Sequence, residues 1–254
     1  MVNRYKYVIM LRMGSIIGNR VKNKKLISII SVIALCFICM SVINVNHAVA
    51  TYNELKRQEK GEKVILIDAG HGGIDGGALS KDGTPEKDIN LNIGILLGAN
   101  LKSMGYKVEY TRTEDVGLYT EGKSVREKKI EDLSNRVRLK KDTNCDVFVS
   151  IHLNTFPQSS CKGAQVWYSN HSKSQELGTL VQSTLKEKLD PNNKREAKAA
   201  GTQYKVLREN DEMPGIIVEC GFLSNPEECE MLKTEDYQIK IADALAGSIS
   251  NYLK

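Results

Sequence analysis

From Val64 onward the sequence alternates short, fully apolar runs with longer segments whose apolar residues recur every three or four positions. A run of four to eight apolar residues is the pattern of a strand buried on both faces, and such strands need helices to cover them. The first run, Val64-Ile65-Leu66-Ile67, ends at Asp68 and opens a glycine-rich loop from Ala69 to Gly77. Residues 106–111, 145–153 (CDVFVSIHL), 163–169 and 215–220 (GIIVEC) read as further strands, with a short one at 204–207. Helical spacing marks 88–104, where Ile89, Ile93, Leu96, Leu97, Leu101 and Met104 recur and Gly105 stops the pattern. It also marks 125–141, with Ile130, Leu133 and Val137 on one face of a charged segment, and then 174–189 and 237–253. Residues 190–203 read as a turn-rich connection. This order predicts one α/β domain, a mostly parallel twisted sheet flanked by helices on both faces.

Charge narrows the partners. The chain has 36 Lys and Arg against 31 Asp and Glu, but seven of the basic residues lie in residues 1–25, which hold no acid. The rest of the chain therefore carries 29 basic against 31 acidic residues. A slightly acidic domain lacks the electrostatic footprint that holds a phosphate backbone, so nucleic acid is excluded as a partner. The basic tail precedes an apolar run, residues 26–45, long enough to cross a bilayer and oriented by the positive-inside rule to export the domain behind it. Ala48-Val49-Ala50 has the small-x-small form of a signal-peptidase site. Cleaved signal peptide and uncleaved anchor in the cytoplasmic membrane both fit, and either exports the domain. The expected organisation is a basic tail with signal or anchor at 1–50, a polar linker at 51–62, and a catalytic domain at 63–254. The six cysteines form neither a disulfide framework nor a zinc-ribbon spacing.

In open α/β sheets chemistry collects at the carboxyl ends of the strands. Three predicted strands end there in residues that a buried strand does not need: His71 follows the first, His152 ends CDVFVSIHL, and Glu219 lies within GIIVEC. Glu86 stands just before the first helix, in the loop opened by the glycine-rich turn. Two imidazoles and a carboxylate that leave one position open form the pattern of a catalytic Zn2+ site. Such a site lowers the pKa of water from about 16 to near 7 and polarises a carbonyl. Glu219 is then the spare carboxylate for proton transfer. Singly, each residue has a plainer reading. Glu86 can be a helix N-terminal acid, His152 a satisfied polar residue, and the glycines an ordinary tight turn. Glu219 is the exception, because burying a lone carboxylate is costly without a partner or a task. His171 reads as an exposed loop residue. A dinucleotide loop fails because Asp75 stands where the third glycine belongs, and no G-x-x-x-x-G-K-[ST] occurs. A serine or cysteine triad fails for want of a G-x-S-x-G elbow.

Four segments together carry a resemblance: VILIDAGHGGIDGGA, Glu86-Lys87-Asp88, Asn135-Arg136 ahead of CDVFVSIHLNT, and PGIIVECGFLSNPEE. The sequence resembles the zinc-dependent N-acetylmuramoyl-L-alanine amidases, from about Val64 to the C-terminus. The resemblance implies zinc ligands at His71, Glu86 and His152, a catalytic glutamate at Glu219, and substrate-groove positions at Asn154, Gly221, Phe222 and Asn225. Ala69 departs from the family pattern, which has proline there. Within the family the likeness runs to the germination-specific amidases of spore-forming bacteria. That implies peptidoglycan as substrate, with stem peptides removed in the spore cortex so that muramic-δ-lactam can form. The span from Ser169 to Glu219 has room for one helix and a short loop, so the plug helix of division-type members is not expected. Without an appended wall-binding repeat, an accessory protein is a conceivable partner. A zinc hydrolase cutting another wall bond, and a non-catalytic peptidoglycan-binding protein, are the alternatives.

Overall fold

Tertiary structure was obtained as a computed structural model, which describes residues 35–49, 51–52 and 61–254. The chain divides into two units, Met1–Gly61 and Glu62–Lys254. In the first, residues 35–49 form an exposed helix; residues 26–34 of the apolar run lie outside the described residues, as do the basic tail at 1–25 and residues 53–60 of the linker. Among the described residues no helix is long and apolar enough to cross a membrane.

The second unit is an α/β domain. In chain order it contains β1 (Val64–Ala69), α1 (Glu86–Ser103), β2 (Lys107–Tyr110), α2 (Val125–Asp142), β3 (Val147–Asn154) and β4 (Gln165–Tyr168). It continues with α3 (Ser174–Lys188), β5 (Lys198–Ala199), α4 (Lys205–Arg208), β6 (Gly215–Phe222), α5 (Pro226–Leu232) and α6 (Glu235–Tyr252). The strands form one sheet in the order β2-β1-β3-β6-β4-β5. β2, β1, β3 and β6 run parallel, whereas β4 pairs antiparallel to β6 and carries β5 with it. The sheet is therefore mixed. A parallel crossover takes a dozen or more residues, and the helix-free connection at 155–164 is too short for one.

The pleat divides the core into two layers. Ile65, Ile67, Val149, Ile151, Ile216 and Val218 face α1, α3 and α6, while Val64, Leu66, Phe148 and Ile217 face Val137, Val206 and Leu207. Both faces are thus covered, as the continuous apolar runs require. Two elements depart from the sequence expectation. Residues 204–207, expected as a strand, form the single turn α4, because Tyr204 O accepts from the backbone N–H groups of Leu207 and Arg208. The ammonium of Lys140 also holds that turn, donating to Val206 O (2.9 Å) and Glu209 O (2.8 Å). On α2 only Val137 of the expected stripe is buried; Ile130 and Leu133 are 53% and 40% exposed, because this half of the helix forms a cleft wall. Between β4 and β6 lie α3, the two-residue β5 and α4.

Candidate active site

The same two-residue period that buries the apolar side chains collects the polar ones on the α2 face at the carboxyl end of the sheet. Asp68 pairs in register with Ser150, and His152 with Glu219. A register shift between His152 and Asn154 marks a bulge, a device that re-aims side chains at a strand end. His71 follows β1 in the glycine loop, with φ of 64°. That left-handed conformation is uncommon outside glycine and persists only where surroundings enforce it. Here two guanidinium groups do so. Arg112 Nε donates to Ala69 O (2.9 Å) and Nη2 to Gly70 O (3.0 Å), while Arg136 Nη1 donates to Ala69 O (2.9 Å) and Nη2 to His71 O (2.5 Å). Three successive carbonyls are thereby fixed before the imidazole is reached.

Arg136 is itself buried against Asp68 (Nη1 to Oδ1, 2.5 Å) and Asp132 (Nε to Oδ2, 2.6 Å). Asp68 also accepts from Ser150 (2.6 Å) and Thr111 (2.8 Å). Burial alone pushes the Asp68 carboxyl up, but the Arg136 charge and these hydroxyls reverse it and hold it below the usual range.

The ligand-type atoms meet above this platform. Glu86 Oε1 lies 3.3 Å from His71 Nε2 and 3.1 Å from His152 Nδ1, and all three residues offer atoms within 4.8 Å of one another. The two rings meet edge-on, with centroids 4.9 Å apart. Each ligand candidate is oriented from behind. His71 Nδ1 bonds Asp75 Oδ2 at 2.9 Å, and Asp75 in turn accepts from Lys129. Glu86 Oε1 accepts from Leu153 N (2.9 Å) and Asn90 Nδ2 (3.1 Å), while Oε2 accepts from Ala78 N (2.9 Å). Fully buried Asn90 donates its second hydrogen to Gly70 O, and its Oδ1 has no partner among the described residues. A Cβ at Gly70 would overlap the His152 ring, so this close approach requires glycine.

The electrostatics agree with the geometry. Burial opposes a protonated imidazole, yet bonds to Asp75 and Glu86 raise His71 to about 9. Burial raises Glu86, but both imidazoles more than reverse this and keep it well below the usual carboxylate range. Both shifts favour positive charge beside the Glu86 carboxylate. Zn–N and Zn–O bonds of about 2.0–2.1 Å at tetrahedral angles place ligand atoms about 3.3 Å apart, close to the two separations from Glu86. The donor set fits a zinc ion.

Glu219 lies on β6 next to His152, only 8% exposed, and no hydrogen bond or ion pair holds its carboxylate among the described residues. Burial raises its pKa, and Glu86 adds to this while the imidazoles oppose it. The four further positions implied by the resemblance differ in setting. Asn154 is half-buried at the end of β3. A Cβ at Gly221 would press on Glu228, Phe222 is buried beneath the Arg195 guanidinium at 4.5 Å, and Asn225 caps α5 through Glu228 N (3.0 Å). None of these four lines the cavity of about 260 Å³ that holds His71 and His152. That cavity runs from the two imidazoles between α2 and the 203–206 segment, past Tyr119, Leu133, Tyr204 and Lys205.

Asp75, Asn90, Arg112 and Lys140 were not singled out by sequence reasoning. Asn90 was accessible, because a residue four positions after Glu86 on a helix shares its face. Asp75 was not, because its spacing from His71 belongs to a loop.

Comparison with known proteins gives one family. The family model described as N-acetylmuramoyl-L-alanine amidase matches residues 65–251. A germination-specific N-acetylmuramoyl-L-alanine amidase of Bacillus subtilis is 36% identical over 192 residues, covering 75% of this chain and 79% of that one. Among solved structures, the CwlD amidase of Clostridioides difficile in complex with the GerS lipoprotein is 45% identical, with a TM-score of 0.73 over 76% of this chain and 98% of that one. The catalytic domain of CwlV, an N-acetylmuramoyl-L-alanine amidase from Bacillus (Paenibacillus) polymyxa var. colistinus, is 29% identical, with a TM-score of 0.62 over 75% and 98%.

Proposed function

The chain belongs to the N-acetylmuramoyl-L-alanine amidase family, and from that premise we propose that it is a zinc enzyme whose ligands are His71 Nε2, His152 Nδ1 and Glu86 Oε1, with Glu219 as general base and then general acid. The family's reaction is hydrolysis of the amide between N-acetylmuramic acid and L-alanine in peptidoglycan. Zinc in such a site supplies Lewis acidity, which brings the pKa of water to about 7 and polarises a carbonyl. The chain's residues do the rest. Glu219, with a pKa raised by burial, accepts the proton of the attacking water and passes it to the departing alanine nitrogen. Asp75 holds His71 in the tautomer that points Nε2 at Glu86. Asn90 and the Leu153 N–H fix the Glu86 carboxylate, so that it enters the reaction already oriented.

The observation that carries this reading is the approach of both imidazole nitrogens to one oxygen of Glu86, with a carboxylate unpartnered among the described residues on the next strand. The test is digestion of purified peptidoglycan by the full chain, with stem release read by mass spectrometry. A chelator should stop release and added zinc restore it. Glu219→Gln should keep one zinc per chain yet lose about 10²–10⁴-fold in rate. Stem release by Glu219→Gln at the wild-type rate removes Glu219 from its role. Product masses would equally reveal a deacetylase or peptidase.

The same reading extends to the biological setting. The germination-specific relative and the amidase–lipoprotein complex support action on spore cortex peptidoglycan, removal of stems ahead of muramic-δ-lactam formation, and an accessory lipoprotein as partner. Residues 1–50 would export the domain, as a cleaved signal or as an anchor in the cytoplasmic membrane. A strain lacking the gene should make cortex without muramic-δ-lactam; normal lactam content counts against this role.

A further inference from the structure

The cavity that begins at the imidazoles is lined by three acidic residues (Asp68, Asp75, Asp132) and three basic ones (Lys129, Arg136, Lys205). Most of these neutralise one another. Arg136 takes Asp68 and Asp132 at 2.5 and 2.6 Å, and Lys129 takes Asp75 at 2.9 Å. Lys205 is different. Its Nζ lies 2.7 Å from the neutral hydroxyl of Ser134, and the acid paired with it, Glu209, is 3.9 Å away, 42% exposed and not part of the lining. Its side chain is 24% exposed and lines the cavity.

The backbone beneath Lys205 is held with unusual firmness for one helical turn. An isolated turn is unstable by itself. Here the buried ammonium of Lys140 reaches up from α2 and takes the carbonyls of Val206 and Glu209. Burial lowers the Lys140 pKa, the mark of a charge held at a cost. The Tyr204 ring packs against Trp167 on the other side (5.9 Å between centroids). The result is a firmly held cation in the lining of the cavity that holds His71 and His152, its paired acid Glu209 3.9 Å away and outside that lining.

We propose that Lys205 binds a carboxylate of the substrate's peptide stem, so that the stem lies between α2 and α4 and the glycan leaves the cavity on the other side. This proposal rests on the amidase reading above. The substrate's chemistry makes the assignment directional. An N-acetylated glycan strand carries no anion, since the muramic acid carboxyl is tied up in the scissile amide. The free carboxylates all belong to the stem, and the nearest is on the residue that follows L-alanine. A cation in the cavity therefore marks the stem side. It also makes that second residue a specificity position, because many walls carry it as the carboxamide.

The test uses the full chain with its zinc and two soluble muramoyl-peptides that differ only in a carboxylate or a carboxamide on the second stem residue. Wild-type enzyme should prefer the carboxylate by about tenfold in kcat/KM, the scale of one charge-assisted hydrogen bond, and mostly through KM. Lys205→Met should bring the ratio close to one, and Lys205→Arg should restore most of it. A wild-type ratio near one overturns the proposal, as does a Lys205→Met variant that keeps the preference. If wild-type enzyme releases neither stem, the amidase reading has failed, and mass spectrometry separates that result from a mere loss of preference.

Discussion

Replacing Arg136 by methionine tests the platform under the site. The substitution keeps an unbranched side chain of similar length but takes the cation from Asp68, a carboxylate only 1% exposed. Ser150 and Thr111 still donate to that carboxylate, and Ala69 O keeps Arg112, but His71 O loses its guanidinium donor. Removing one partner of a buried ion pair costs about 3–5 kcal/mol, which for a domain of this size lowers Tm by about 6–20 °C. The pH dependence identifies the cause. In the wild type the folded Asp68 pKa lies below its unfolded value of about 3.9, so its contribution is complete above that pH and is lost only as pH falls through the lower folded value. In Arg136→Met burial is opposed only by the Ser150 and Thr111 hydroxyls and the His152 and Arg112 charges, so the folded pKa rises, and the penalty is greatest at neutral pH and shrinks as pH falls. Urea unfolding at pH 7 and pH 5 should therefore show the gap from wild type narrowing at the lower pH. The double variant Asp68→Asn, Arg136→Met should be more stable at pH 7 than Arg136→Met alone, since the uncompensated Asp68 charge is then gone. A cost below about 1 kcal/mol at pH 7, or a gap indifferent to pH, would show that the pair does not carry the loop.

Two smaller changes address the ligand set. Asn90→Leu removes the amide from Glu86 and Gly70 O but also removes the orphaned Asn90 Oδ1. Zinc affinity should thus fall by about 10–100-fold in a chelator competition, with unfolding free energy within about 1 kcal/mol of wild type; unchanged affinity would deny Asn90 a positioning role. Gly70→Ala places a methyl group where the His152 ring lies, and elemental analysis should find a folded chain with well under one zinc. One zinc per chain in that variant would mean that the close approach is not needed.

How far each element was legible in the sequence depends on the kind of interaction that forms it. Helices α1, α3 and α6 and strands β1, β3 and β6 were readable because burial against a sheet imposes a period on apolar residues. His71 and His152 follow or end predicted strands, Glu219 lies within one and Glu86 stands just before a predicted helix, so all four could be named as candidates from the sequence. The direction of β4 was not readable from periodicity, because strands of either direction share the same pleat; only the length of the connection decides it. Residues 204–207 look like a strand in isolation, and it takes Lys140, more than sixty positions earlier in the chain, to fix them as a turn.

Helix α2 shows why polar residues escaped the pattern. Its charged sequence suggests a solvated helix with one thin apolar stripe, yet Asp132, Arg136 and Lys140, spaced by four, lie along its inward face. Arg136 holds the carbonyls of Ala69 and His71, and Lys140 holds those of Val206 and Glu209. Loops at the carboxyl end of a sheet present backbone acceptors that no neighbouring strand satisfies, and buried acceptors need donors. Cations on one helix meet that need on both sides of the cleft: one side carries His71, the other Lys205. A hydrophobic α2 would cover the sheet equally well and leave both walls unanchored, so the charge on its buried face is explained by the site and not by the core.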